Sequence, residues 1–178
     1  MKRRPTERRE AAGRELVAIL RAAYSGERAA ALAYRGHWRA SRDHAERAHI
    51  RQIEEDEWRH RRVVGAMLAA LGERPSRLRE LRSLVVGRTL EALCPLAGWM
   101  LPMYAAGRLE VSNVCAYDEA ATLAAGCGRE GLVPGLVEMA EVEREHERYF
   151  RSKVVRHPMG RVLRPWPVWP SGRSPRCR

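Results

Sequence analysis

A chain of 178 residues with 31 arginines and a single Phe is long enough to bury one core and favours helix over sheet. The formal charge of +11 looks like a nucleic-acid signal until it is located: residues 1–10 hold five Lys and Arg against two Glu, and residues 151–178 hold eight against no acid. The 140 residues between are balanced at 20 of each sign, so nucleic acid is not the expected partner. The basic ends are read as solvated arms whose functional use would be attraction to anionic lipid headgroups.

No apolar run follows Met1-Lys2-Arg3-Arg4, and no stretch reaches the ~18 uncharged apolar residues a spanning helix needs. Cys94, Cys115, Cys127 and Cys177 form no C-x-x-C pair and are expected as reduced thiols in a reducing compartment. The expected location is therefore cytoplasmic, with peripheral attachment to the inner face of the membrane as a variant.

Residues 1–11 are expected to be a basic N-terminal arm. Residues 12–40 form the first predicted helix, with Leu16, Leu20, Ala23, Glu27, Ala30, Tyr34 and Trp38 stepping by three or four. Glu27 lies in the middle of that apolar stripe, where an unpartnered carboxylate is costly. The second helix, 43–71, carries Ile50, Ile53, Glu57, His60, Val64 and Leu71 on one face and ends at Gly72. Glu46 and His49 repeat the Glu-x-x-His spacing on the same helix, but His49 falls beside the stripe.

Arg74-Pro75-Ser76 reads as a turn, followed by an amphipathic segment at 77–92. Residues 93–107 then pass without a charge, holding Pro95, Pro102, Trp99 and Tyr104. This extra hydrophobic segment between helices two and three reads as a re-entrant or interfacial membrane element, a lid over a pocket, or a broken helix buried in the core. The third bundle helix is predicted at 108–126, with its inward acid at Asp118 or Glu119. The fourth, 135–155, carries Leu136, Met139, Glu143, His146, Phe150 and Val154. Residues 156–178, rich in Pro, Arg and Trp, are expected to be extended or disordered.

Two Glu-x-x-His units on two helices, plus one lone acid from each of two others, is the ligand set of a dimetal helix bundle, because residues i and i+3 share a helical face. The fold class expected is all-α, a ferritin-like four-helix bundle over 12–155. Six ligands, four of them anionic, suit two iron ions, or manganese in their place; zinc would prefer a closed set with thiolates, and none is present.

The stretch Tyr24-Ser25-Gly26-Glu27, followed by Tyr34-Arg35-Gly36, resembles the His-Ala-Gly-Glu and Tyr-x-Gly pattern of the demethoxyubiquinone hydroxylases, diiron monooxygenases of ubiquinone synthesis. The interval of 30 from Glu27 to Glu57 and the Arg74-Pro75 pair after His60 are similar to that family's layout. The resemblance spans roughly residues 15–152 and implies Glu27, Glu57, His60, Glu119, Glu143 and His146 as iron ligands; counting from Gly107 favours Glu119 over Asp118. Under this alignment the segment before the third helix is longer than the family's and the loop before the fourth is shorter by a similar amount. Ala120-Ala121-Thr122-Leu123-Ala124 replaces a His-His-Tyr stretch, and the family's C-terminal helical region is absent.

The function this implies is hydroxylation of a quinone-like or other hydrophobic substrate by dioxygen, with electrons from an external reductant, since no flavin or nicotinamide fingerprint is present. Two alternatives remain at this stage. One is a ferritin- or rubrerythrin-like iron oxidase or peroxide scavenger. The other is a non-enzymatic bundle that binds lipid or nucleic acid through its basic ends. Homo-oligomerisation is left open.

Overall fold

Two helical hairpins face each other in the computed structural model, which describes residues 4–161 together with Trp166. One hairpin is α1 (Pro5–Ala40) with α2 (His44–Ala70); the other is α4 (Met100–Gly126) with α5 (Val133–Arg156). Between them α3 (Arg77–Leu93) lies along the outside of α1 and leads through a 3-10 turn at Cys94–Leu96 into α4. No strand occurs among the described residues, and the all-α, ferritin-like bundle expected from periodicity is the fold observed.

Local chemistry sets the ends. Asp43 caps α2 by accepting from the Glu46 amide at 2.8 Å, and Ser76 caps α3. α2 ends with Gly72 at φ 73°, its amide on the Ala69 carbonyl and the Glu73 amide on the Leu68 carbonyl. That is a Schellman closure, which a side chain at Gly72 would strain.

Two boundaries depart from expectation. α1 begins at Pro5, so most of the predicted basic arm is helix: proline suits the first turn, and the Glu7 carboxylate accepts from the Arg4 amide. α4 begins at Met100 rather than 108, because Pro102 falls in the first turn, where its missing N–H has no intrahelical partner to lose. The uncharged stretch 93–107 is consequently divided. Leu93, Leu96 and Leu101 are exposed, while Met100, Met103, Ala106 and Gly107 enter the core.

The core has two apolar layers. One gathers Leu16, Leu20, Val64, Leu68, Tyr117 and Leu136; the other gathers Tyr34, Ile50, Ile53, Met103, Phe150 and Val154. Trp166 joins the second layer, contrary to the expectation of an unstructured C-terminal segment. Its indole N–H donates to the Glu147 carboxylate, its carbonyl accepts from Arg151 Nη1 at 2.6 Å, and its ring fills the space that a Cβ on Gly107 would occupy. The rest of that predicted segment beyond residue 161 lies outside the described residues.

Cys94 and Cys127 are free thiols, whereas Cys115 is disulfide-bonded, which corrects the expectation of four reduced cysteines. Pairing depends on which thiols the fold brings within about 4–7 Å between Cα atoms, a fact that spacing along the chain does not carry.

Candidate metal centre

Between the two apolar layers, every helix of the four-helix bundle turns ionisable groups inward. α1 supplies Glu27, α2 supplies Glu57 and His60, α4 supplies Glu110, and α5 supplies Glu143 and His146; none is more than 5% exposed. On α2 and α5 the Glu and His occupy seam positions flanked by Ile53 and Val64, and by Met139 and Phe150, so the periodicity that buries those neighbours buries these groups too.

The groups fall into two overlapping sets. Glu27, Glu57, His60 and Glu143 bring one candidate ligand atom each to within 4.8 Å of one another, and so do Glu57, Glu110, Glu143 and His146. Glu57 and Glu143 belong to both. His60 Nδ1 lies 3.0 Å from Glu143 Oε1; His146 Nδ1 lies 3.6 Å from Glu57 Oε1 and 3.5 Å from Glu143 Oε2.

Electrostatics make this arrangement unfavourable by itself. Burial first, and then repulsion from Glu143 and Glu27, raises Glu57 well above the usual carboxylate range. Burial and Glu143 do the same to Glu110, and burial raises Glu27. Burial would raise Glu143 as well, but the His146 and His60 imidazoles beside it outweigh burial and hold this carboxyl below its usual range. His146 is raised to about 9: burial opposes its charge, and Asp56 and Glu143 prevail. Buried polar atoms without a hydrogen-bond partner concentrate here: Glu27 Oε2, both Glu57 oxygens, His60 Nε2, Glu143 Oε2 and His146 Nδ1. Such atoms are rare in folded proteins because each forfeits about 1–3 kcal/mol of solvation. Four converging carboxylates and two imidazoles, with unsatisfied atoms on three of the carboxylates and both imidazoles, fit a pair of hard-to-borderline divalent cations.

Tyrosines orient the two lone carboxylates. Tyr117 of α4 donates to Glu27 of α1, and Tyr34 of α1 donates to Glu110 of α4. Burial and the facing carboxylates push both phenols well above their ordinary range, which keeps them protonated donors.

Five of the six residues singled out from sequence are brought together; Glu119 is not. It is exposed on α4, and Glu110 takes its place, while Asp118 pairs with Arg144 Nη2 at 2.6 Å on the outside. The inward row of α4 runs Met103, Gly107, Glu110, Val114, Tyr117, Ala121 and Ala124, and Glu119 is off that row. The signal that could have found Glu110 is its isolation, since it is the first acid after Glu91 in an otherwise apolar region. Glu46 and His49, the competing unit on α2, are structural: Glu46 accepts from Trp99 Nε1 at 2.9 Å and Lys153 Nζ at 3.0 Å, and His49 is exposed and stacked on Tyr149.

Residues 14–112 match the family described as ubiquinone biosynthesis protein COQ7, over more than half of the chain. The chain belongs to this family. The match takes in Glu27, Glu57, His60 and Glu110 and stops before Glu143 and His146, which the fold supplies from α5. No curated protein and no solved structure matches the chain. Membership in the COQ7 family carries a role in ubiquinone-biosynthesis hydroxylation, and the buried Glu and His cluster gives this member groups that could hold metal.

Proposed function

We propose that this chain is a dimetal oxygenase that hydroxylates a quinone-like ring, with Glu27, Glu57, His60, Glu110, Glu143 and His146 holding two iron ions, or two manganese ions in their place. The observation that carries this reading is the pair of ligand sets sharing Glu57 and Glu143. Two ions on those sets would bind and activate dioxygen, with the balance R–H + O₂ + 2 e⁻ + 2 H⁺ giving R–OH + H₂O and the electrons coming from an external reductant.

The chain's own residues set the conditions. Glu57 and Glu143, which belong to both sets, would be shared by the two ions, and Tyr117 and Tyr34 orient Glu27 and Glu110 through their hydrogen bonds. The two apolar layers exclude water, which strengthens every charge interaction between them.

A hydrophobic substrate is supported by the outside of the molecule. Leu78, Leu81, Val85, Leu93, Leu96 and Leu101 are all exposed, among Arg77, Arg79, Arg82 and Arg88. An apolar face edged by arginines suits contact with an anionic lipid surface. The row lies mainly on α3, upstream of the 93–107 stretch that sequence alone points to. No helix among the described residues is long and apolar enough to cross a membrane, so the contact would be peripheral. A cleft of about 490 Å³ lined by His37, Cys94, Pro95, Trp99 and Pro102 adjoins this surface and offers room for part of an apolar molecule.

Anaerobically purified protein is expected to contain about two irons per chain, and its lipid extract a quinone. His60→Ala should abolish the metal-to-oxygen absorption band while His49→Ala leaves it intact. A protein free of iron, or equal effects from the two variants, would overturn the proposal.

A further inference from the structure

The two halves of the site correspond residue by residue. Glu27 and Tyr34 on α1 are seven apart, as are Glu110 and Tyr117 on α4, and each tyrosine donates to the other half's carboxylate. Glu57 and His60 on α2 match Glu143 and His146 on α5. Both imidazoles turn Nδ1 toward the carboxylates, which leaves Nε2 as the outer nitrogen.

Behind the ligands the correspondence fails twice, on the same side. His146 Nε2 faces Asp56 Oδ2 at 3.4 Å, and Asp56 is itself paired with Arg59 Nη2 at 3.5 Å. His60 Nε2 is buried with no hydrogen-bond partner. Asp56 immediately precedes Glu57, and the residue preceding Glu143 is Val142, which has no acceptor to offer. Likewise Asn113, three residues after Glu110, donates from Nδ2 to Glu110 Oε2 at 3.0 Å. The residue three after Glu27 is Ala30, and Glu27 Oε2 is without a partner.

A carboxylate on the outer nitrogen of a ligating histidine fixes the tautomer with its free lone pair inward, holds the ring's orientation and raises its basicity. A donor on the free oxygen of a ligating carboxylate limits its rotation. One half has both devices and the other has neither. We infer that the two metal positions are unequal by construction: the position formed by Glu57, Glu110, Glu143 and His146 fills first and holds its ion more tightly. Asp56 and Asn113 are its positioning residues. The position formed by Glu27, Glu57, His60 and Glu143 is the weaker and more exchangeable one.

This inference rests on the dimetal reading, and one experiment separates their failures. Metal-free protein is titrated anaerobically with Fe²⁺ by calorimetry, and crystals grown with one equivalent of Fe²⁺ are measured at the iron absorption edge. Wild type should show two unequal steps, with the first ion's anomalous peak beside His146. Asp56→Asn should weaken the first step by about 10–100-fold and leave the second unchanged; Asn113→Ala should act in the same direction. A melt of each metal-free variant checks that it folds. An ion that settles first beside His60, or an Asp56→Asn protein that takes up two ions with an unaltered first step, would overturn the inference alone. Wild type that takes up no Fe²⁺ would overturn the dimetal reading and the inference with it.

Discussion

The centre of the bundle and the outer helix α3 invert the same rule in opposite directions. The centre places four carboxylates and two imidazoles where the seam calls for leucine, giving up about 1.5–3 kcal/mol of burial at each position. α3 does the reverse. Its buried side is Ser83 and Gly87, and its leucines face out, with Leu78 77% exposed.

α3 is nevertheless firmly attached. Glu80 accepts from Arg61 Nη2 at 2.6 Å and Ser25 Oγ at 2.8 Å, and Glu91 pairs with Arg39 Nη1 at 3.0 Å. Between these latches the backbones approach so closely that a Cβ on Gly36 would fall on the Glu91 backbone, and one on Gly87 would sit 2.9 Å from Leu32. A helix fastened by polar ends and glycines keeps none of its leucines fully buried. Ionisable groups placed inside and leucine left outside are both unfavourable for the isolated chain, and the proposed function accounts for each by something external to it: cations in the first case, an apolar surface in the second.

The largest effect that would sharpen this contrast is at the centre. Glu57 has neither oxygen partnered, so Glu57→Leu removes a buried, unsatisfied carboxyl group without orphaning a donor. It should eliminate iron uptake at both positions yet raise the unfolding free energy of the metal-free protein by about 1–4 kcal/mol, measured by denaturant titration. A destabilised metal-free variant would show that the centre is built for stability after all.

At the boundary between the regions, burial lowers the His37 imidazole to about 4, with Glu46 opposing. An imidazole depressed in the folded state adds stability that is present above pH ~6.5 and lost as the pH falls through ~4, up to about 3 kcal/mol. The metal-free protein should lose that much across this window, and His37→Gln should flatten the loss; an unchanged acid limb would break the assignment. The smallest stability effect belongs outside. Leu81→Ser with Val85→Ser should alter unfolding by no more than about 0.5 kcal/mol, while greatly reducing co-sedimentation with anionic vesicles. A large loss of stability there would mean the leucines serve the fold.

Much of the architecture was legible in the residues. The rows of α1, α2 and α5 follow from stepping by three and four, and the anomalous Glu27, Glu57, His60, Glu143 and His146 show themselves by interrupting those rows. α4 was legible only in part. Two prolines and a long uncharged run read as a broken segment, which puts the expected helix start eight residues late and its inward acid at Glu119. The error left a trace in the sequence: one connection too long for the family and the next too short by a similar amount. An inward acid at 110 rather than 119, nine residues earlier, shortens the first and lengthens the second. Hydropathy could not place Glu110, because a helix that is apolar nearly all round has little moment to orient it.

The sequence by itself determined the helices, the two Glu-x-x-His units and the resemblance to a hydroxylase family, since all three are periodicities or spacings along one chain. Tertiary structure decided which lone acid completes the site, that Tyr34 and Tyr117 serve each other's half, that Asp56 stands behind His146 while His60 has no such support, and that the leucines of α3 face outward. These are relations between helices, fixed by the rotation and register at which separate segments meet, and no spacing within one segment encodes them.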